Sequence, residues 1–290
     1  MKKKISVLIL IAMTMSIFTA CSGGSNAGFD LKKEISVVSR EDGSGTRGAF
    51  IELFSVEQKD DDGTRKDMTT KEAVIAKQTD VMMTNIVNDQ YAIGYISLGS
   101  LNDTVKAVEI DGVIPSPENV KNGTYQIARP FNIATKSGLS ETAQDFIDFI
   151  LSAEGQAVIA KSYIAVDEGA PEYSGSKPSG KIVVSGSSSV APIMEKLKEA
   201  YLAVNTNATI EIQQSDSSAG IADATSGISD IGMASRGLKD SELEELDSTQ
   251  IALDGIAVIV NKENTTKNLT KDQVKAIFTG EILAWSDTEK

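Results

Sequence analysis

Residues 35–54 read ISVVSREDGSGTRGAFIELF. The opening ISVVS carries the β-branched run of a strand. Asp42-Gly43-Ser44-Gly45-Thr46 is a polar turn, and beyond it Ala49, Phe50, Leu53 and Phe54 recur at the spacing of one helix face. A strand that ends in a Gly/Ser/Thr loop and feeds a helix leaves free backbone N–H groups and the positive end of a helix dipole at one point. Such a point suits an anion. Arg40 and Arg47 flank the loop and can add charge-assisted hydrogen bonds. Read alone, the stretch is equally a capped helix start with two solvated arginines.

The layout returns along the chain. Residues 181–201, KIVVSGSSSVAPIMEKLKEAY, give a strand, a serine-rich turn and a helix with Val190, Ile193, Met194, Leu197 and Tyr201 on one face. TIEIQQSDSSAGIADATSG (209–227) repeats it, and SDIGMASRGLKDSELEEL (229–246) places Ser235-Arg236 before an acidic helix. Strands alternating with helices indicate an α/β fold with mainly parallel sheets. Ligands of such sheets sit at the carboxyl ends of the strands. Four junctions, at 39–47, 185–189, 215–220 and 234–236, carry Ser, Gly, Thr or Arg and point to one converging oxyanion site.

Elsewhere the pattern predicts a helix from about 70 into the stretch ending at 89, and a buried strand at 92–100. It predicts strand and turn at 105–113, and a loop at Pro115 and Pro117. An extended segment follows at 125–135, then one long amphipathic helix over 142–162. LDGIAVIVN (253–261) reads as a buried strand, and Thr270 with Gln273 as a capping box. PEYSGSKPSG (171–180) is a linker by composition. Gln58–Gly63 reads as a solvated acidic loop, since no calcium-loop spacing follows its three aspartates.

Composition narrows the chemistry. The chain has 290 residues and a net charge of −13, which argues against nucleic acid but says little about a small anion. It has no histidine and one cysteine, so Ser-His-Asp and Cys-His nucleophiles, a histidine metal site and an internal disulfide are excluded. GSGTR also lacks the lysine of a P-loop. No catalysis, cofactor or metal is expected.

Residues 1–20 carry Lys2-Lys3-Lys4, an apolar run from Ile5 to Phe18 and a small residue, Ala20, before Cys21. This is a secretory signal peptide by charge and length. Cys21 after the small residue resembles a bacterial lipobox, which would make it the lipidated N-terminus. Losing three lysines takes the charge from −13 to −16. Residues 21–29 then form a flexible tether.

Taken together, SREDGSGTRGAF, SGSSSVAP, SDSSAGI, DIGMASR, DGIAVIVN, AIGYISLGSL and RPF resemble the phosphate-binding lipoproteins of bacterial ABC phosphate importers. The resemblance implies a two-lobe, type II periplasmic-binding-protein fold. It implies capture of inorganic phosphate between the lobes, and delivery to membrane permease subunits by a monomer on the extracytoplasmic face. Residue by residue, it places phosphate against Ser189 and the Val190 amide, Ser217, and Arg40, Ser44, Gly45 and Thr46, with Asp42 bracing the arginine. Where some members have an aspartate that accepts the phosphate proton, this chain has Arg236 after Ser235. Both residues are expected at the site. Other oxyanions (sulfate, molybdate, tungstate) and a non-transport adhesion or signalling role are the alternatives.

The order of these motifs differs from the family's usual one. Residues 181–290 resemble the family's first half and 28–175 its second, as in a circular permutant whose linker 171–180 joins the usual termini. The implied lobes are 30–125 plus 262–290, and 126–261. A fragment of a tandem array is the rival reading, and it requires the chain ends to lie far apart.

Overall fold

The computed structural model describes residues 28–60 and 65–289. The expected signal peptide, Cys21 and part of the acidic loop fall outside these residues. In chain order the first part comprises β1 (Ser36–Arg40), α1 (Gly45–Leu53), β2 (Glu57–Lys59), β3 (Arg65–Asp67), β4 (Val74–Ala76), α2 (Thr79–Asn88) and β5 (Ala92–Ser97). It continues through β6 (Lys106–Ala107), β7 (Glu109–Ile110), α3 (Pro117–Lys121) and β8 (Ala128–Thr135). Then come α4 (Glu141–Leu151), α5 (Ala153–Ile159), β9 (Ile164–Ala165), β10 (Gly180–Ser187), α6 (Ala191–Val204) and β11 (Ala208–Ser215). The last are α7 (Ser217–Ser226), β12 (Ile231–Ala234), α8 (Asp240–Leu243), β13 (Asp247–Val260), β14 (Asn268–Leu269) and α9 (Lys271–Thr279).

One sheet runs through the molecule in the order β11-β10-β12-β8-β13-β5-β1-β4. Its two flanks are parallel: β10 pairs with β11 and β12, and β1 pairs with β4 and β5. The middle is an antiparallel ribbon of β8 and β13, whose register shifts by a bulge between Gln250 and Ala252. The ribbon joins two hydrophobic cores. The first gathers Phe50, Phe54, Tyr95, Ile256–Val260, Phe278 and Trp285. The second gathers Phe131, Phe146, Ile150, Ile193, Leu197 and Tyr201. In the first, the Phe50 and Tyr95 rings stack 3.9 Å apart, and Phe278 packs 4.6 Å from Phe50. Ile256–Val260 lie in the first core, so β13 passes between cores near 253–255, several residues before 261.

Three local expectations need correction. Residues 70–78 are not helical: Val74–Ala76 form β4, drawn into register with Val38–Arg40, and the helix starts at Thr79. Tertiary pairing here overrides the helix-forming composition. The long helix breaks at Ser152, which caps α5 by accepting from the Gly155 amide while its hydroxyl donates to Phe149 O. Pro117 opens the short helix α3, with Ser116 as N-cap. By contrast, the capping box of Thr270 and Gln273 is formed.

The described ends of the chain are neighbours. Ser286 N–H donates to Leu31 O at 2.6 Å, and Glu34 bridges Ala284.

Candidate functional site

β1 delivers Arg40 into the interior. The Tyr95 hydroxyl fixes the end of the strand, accepting from the Arg40 amide at 3.1 Å and meeting Ser39 Oγ at 2.9 Å. The guanidinium is almost fully buried. Its Nε and Nη2 grip both Glu41 carboxylate oxygens at 2.8 and 2.7 Å. Nε also donates to Ala76 O at 3.1 Å, and Nη2 to Ser188 Oγ at 2.9 Å. Nη1 is buried and has no hydrogen-bond partner among the described residues. A buried donor of this kind costs free energy unless something accepts from it. The brace is thus Glu41, one residue before the expected Asp42. Asp42 is exposed and pairs with Arg47 at 2.8 Å. Arg47 also donates to Asp67 and to Arg40 O, so it ties the turn together and does not face the site.

The turn after β1 is capped by Ser44, which accepts from Arg47 N–H. Gly45 and Thr46 are the first helical residues of α1, where amides have no intrahelical acceptor. Thr46 Oγ1 lies 2.8 Å from Ser189 Oγ. Gly45 must be glycine: a Cβ there would stand 2.5 Å from Ser217 Oγ and 2.8 Å from Ser235 Oγ. Ser218 N–H donates to Gly43 O across the same seam. The motifs on the two cores are therefore pressed together.

The other side is a serine cluster. Ser187 Oγ donates to Ser235 Oγ at 3.0 Å, and Ser217 Oγ lies 3.3 Å from Ser235 Oγ and accepts from the Ser235 amide at 3.1 Å. Ser187, Ser188, Ser189, Ser217 and Ser235 are all buried. Close backbone packing brings α7 down to them. Gly186 has φ +127°, and a Cβ on Gly220 would meet Gly186 Cα at 2.4 Å.

Two expected ligands are placed differently. The Val190 amide donates to Ser187 O at 3.0 Å, closing the turn before α6. Arg236 is held away by Glu242, which takes Nη1 and Nη2 at 2.8 Å each, and it only grazes Ser218 Oγ at 3.5 Å. It braces the loop behind Ser235. Arg40, Ser44, Gly45, Thr46, Ser189, Ser217 and Ser235 are brought together. Ser187, Ser188 and Glu41 join them; they lie inside the same motifs but were not singled out by the sequence. Thr79 also joins, from a segment with no glycine or serine to mark it. Among the described residues no group of His, Cys, Asp or Glu is placed to hold a metal ion.

This arrangement is a set of hydroxyl donors and helix starts around one buried guanidinium, which suits a small oxyanion. The family model for the PBP superfamily domain matches residues 26–154 and 171–290. A phosphate-binding protein PstS 2 of Streptococcus agalactiae is 50% identical over 99% of this chain and 100% of its own length. The chain belongs to the PstS family of the PBP superfamily. The Streptococcus pneumoniae PstS 2 protein is 43% identical, over 98% of both chains. A crystal structure of a phosphate-binding protein of a phosphate ABC transporter from that organism superposes with a TM-score of 0.69. It shares 44% identity and covers 88% of this chain and 99% of its own. The PstS protein of Staphylococcus haemolyticus matches over 35% of each chain, at 43% identity.

Proposed function

We propose that this PstS-family protein is an extracytoplasmic receptor that captures inorganic phosphate between its two cores and hands it to an ABC importer. It performs no catalysis. The observation that carries the reading is the unpartnered Arg40 Nη1, buried beside hydroxyls from both cores. A tetrahedral oxyanion supplies the acceptors that Nη1 and the serine and threonine hydroxyls need. Ser44, Gly45, Thr46, Ser189, Ser217 and Ser235 complete the donor set. The names of the full-length streptococcal relatives favour phosphate over other oxyanions.

Calorimetric titration of the mature protein with phosphate, sulfate, molybdate and tungstate tests this. Phosphate is expected to bind tightest, and at a hundred times its Kd to stabilise the fold by about 2.7 kcal/mol. Tighter sulfate or molybdate would reassign the ligand. No heat and no thermal shift with any of the four would favour an adhesion or signalling role.

The packing of Ile127 and Ile256–Val260 in the first core moves both expected crossings, so the lobes in this reading are residues 30–127 plus 256–290, and 128–255. Segment 171–180 joins the family's usual termini. Three facts support reordering over a tandem fragment. Leu31 and Ser286 are hydrogen-bonded. The streptococcal relatives align from end to end. The staphylococcal one aligns over only a third. Core-by-core superposition on a binding protein of the usual order tests it.

Cys21 is the proposed lipid anchor, by its place after Ala20. Fatty-acid labelling of the cells is expected to mark the wild type and not Cys21→Ser; labelling of the variant would place the lipid elsewhere.

A further inference from the structure

We infer that Thr79, at the start of α2, is a further ligand of the bound anion, contributed by a fifth strand-to-helix junction. This rests on the phosphate-receptor reading above. Thr79 is 4% exposed, unusual for a threonine in the first turn of a surface helix. Its hydroxyl stands 3.4 Å from Ser188 Oγ and 3.5 Å from Ser189 Oγ. Those distances are too long for strong hydroxyl–hydroxyl bonds, so the group's capacity is largely unspent.

The same junction is tied to the guanidinium. Arg40 Nε donates to Ala76 O, three residues before Thr79, and Arg40 Nη2 donates to the Ser188 hydroxyl that Thr79 faces. Arg40 thereby stands between α2 and the serine turn with Nη1 still unpartnered. The N-cap residue, Gln78, makes no side-chain cap bond. An anion accepting from Arg40 Nη1 and Ser189 lies within reach of the Thr79 hydroxyl. There it also meets the positive end of the α2 dipole. Thr79 would then give the first core a second hydroxyl facing Ser189, beside that of Thr46.

The test uses Thr79→Val, which keeps the shape and removes the hydroxyl, and Thr79→Ser, which restores it. Phosphate calorimetry is expected to show roughly tenfold weaker binding in Thr79→Val and near wild-type binding in Thr79→Ser. Melting curves without phosphate check that both variants fold. A Ser188→Ala background separates direct contact from indirect positioning. If Thr79 touches the anion, Thr79→Val still weakens binding there; if it acts only by placing Ser188, the effect vanishes and the inference falls. Unchanged binding in Thr79→Val, with the wild type binding phosphate normally, also overturns it. A wild type that binds no phosphate would instead sink the reading on which the inference rests.

Discussion

In Arg40→Ala, phosphate titration is expected to be flat at concentrations that saturate the wild type, a loss of about a hundredfold in affinity or more. Two effects act in the same direction. The anion loses its one buried cationic donor, and a hydrogen bond to a charged group contributes about 1.5–3 kcal/mol. Glu41 also loses the partner of both its oxygens while remaining largely buried, with a side-chain exposure of 17%. An unpaired carboxylate then faces the incoming anion. Arg40→Lys is expected to fail nearly as badly, because a point-charge ammonium cannot hold Glu41, Ala76 O and Ser188 in one plane. Melting without phosphate separates damage to the fold from damage to the site. Wild-type affinity in a folded Arg40→Ala would remove the guanidinium from the binding mechanism.

The second large effect lies in the ribbon between the cores. Arg129 of β8 donates to Asp254 Oδ2 of β13 at 3.2 Å, and both side chains are almost wholly buried. Asp254 Oδ1 accepts from Ser97 Oγ at 3.0 Å and the Gly99 amide at 3.3 Å. Arg129 Nε and Nη1 have no hydrogen-bond partner among the described residues, and the guanidinium lies 5.2 Å from the centre of the Phe131 ring. Asp254→Asn puts an amide donor against a guanidinium donor and strands a buried cation. Breaking one side of such a pair costs about 3–5 kcal/mol. The double change Arg129→Met/Asp254→Leu is expected to cost much less, because it removes both charges. Urea unfolding of the three variants measures this, and a mild Asp254→Asn would mean the pair is not a linchpin of the ribbon.

The pair also sets a pH dependence. Burial raises the Asp254 carboxyl to about 6, outweighing the opposing pull of Arg129, the Ser97 hydroxyl and the Gly99 amide. Its folded value lies above the ordinary value of 3.8, so the folded state takes up the proton first. This group therefore favours the fold more as pH falls from about 6 to 4, and contributes nothing that varies above 7. The gap in stability between wild type and Asp254→Asn should widen over that window; a constant gap would contradict the shift.

The motifs revealed the α/β class and pointed to most of the candidate site because each junction couples a β-branched strand, a small polar turn and an apolar helix face. Ser187–Val190 and Ser44–Thr46 are dictated locally in this way. What the sequence hid depends on partners distant in the chain. β4 is helical by composition and becomes a strand only through its pairing with Val38–Arg40. Thr79 follows Lys77-Gln78, which carries no turn signal, and it gains meaning only where α2 meets Ser188. Glu41 in place of Asp42 as the brace turns on side-chain direction in a tight turn, which spacing does not encode. The passage between cores falls at Asp254-Gly255, a polar interruption ahead of the apolar run Ile256–Val260, and that run packs in the first core rather than ending the second.

The antiparallel ribbon of β8 and β13 has a mechanical meaning. Its strands are laced by main-chain hydrogen bonds from Asp247↔Thr135 to Gly255↔Ala128, interrupted only by the bulge at Gln250/Ala252. Such a ladder resists sliding, which would break its rungs, and yields to bending and twisting, most easily where a bulge already distorts it. The relative motion of the two cores is thereby reduced to very few degrees of freedom. In the proposed receptor, such a restraint would lower the conformational entropy lost on binding the anion, leaving more of its contact energy as affinity.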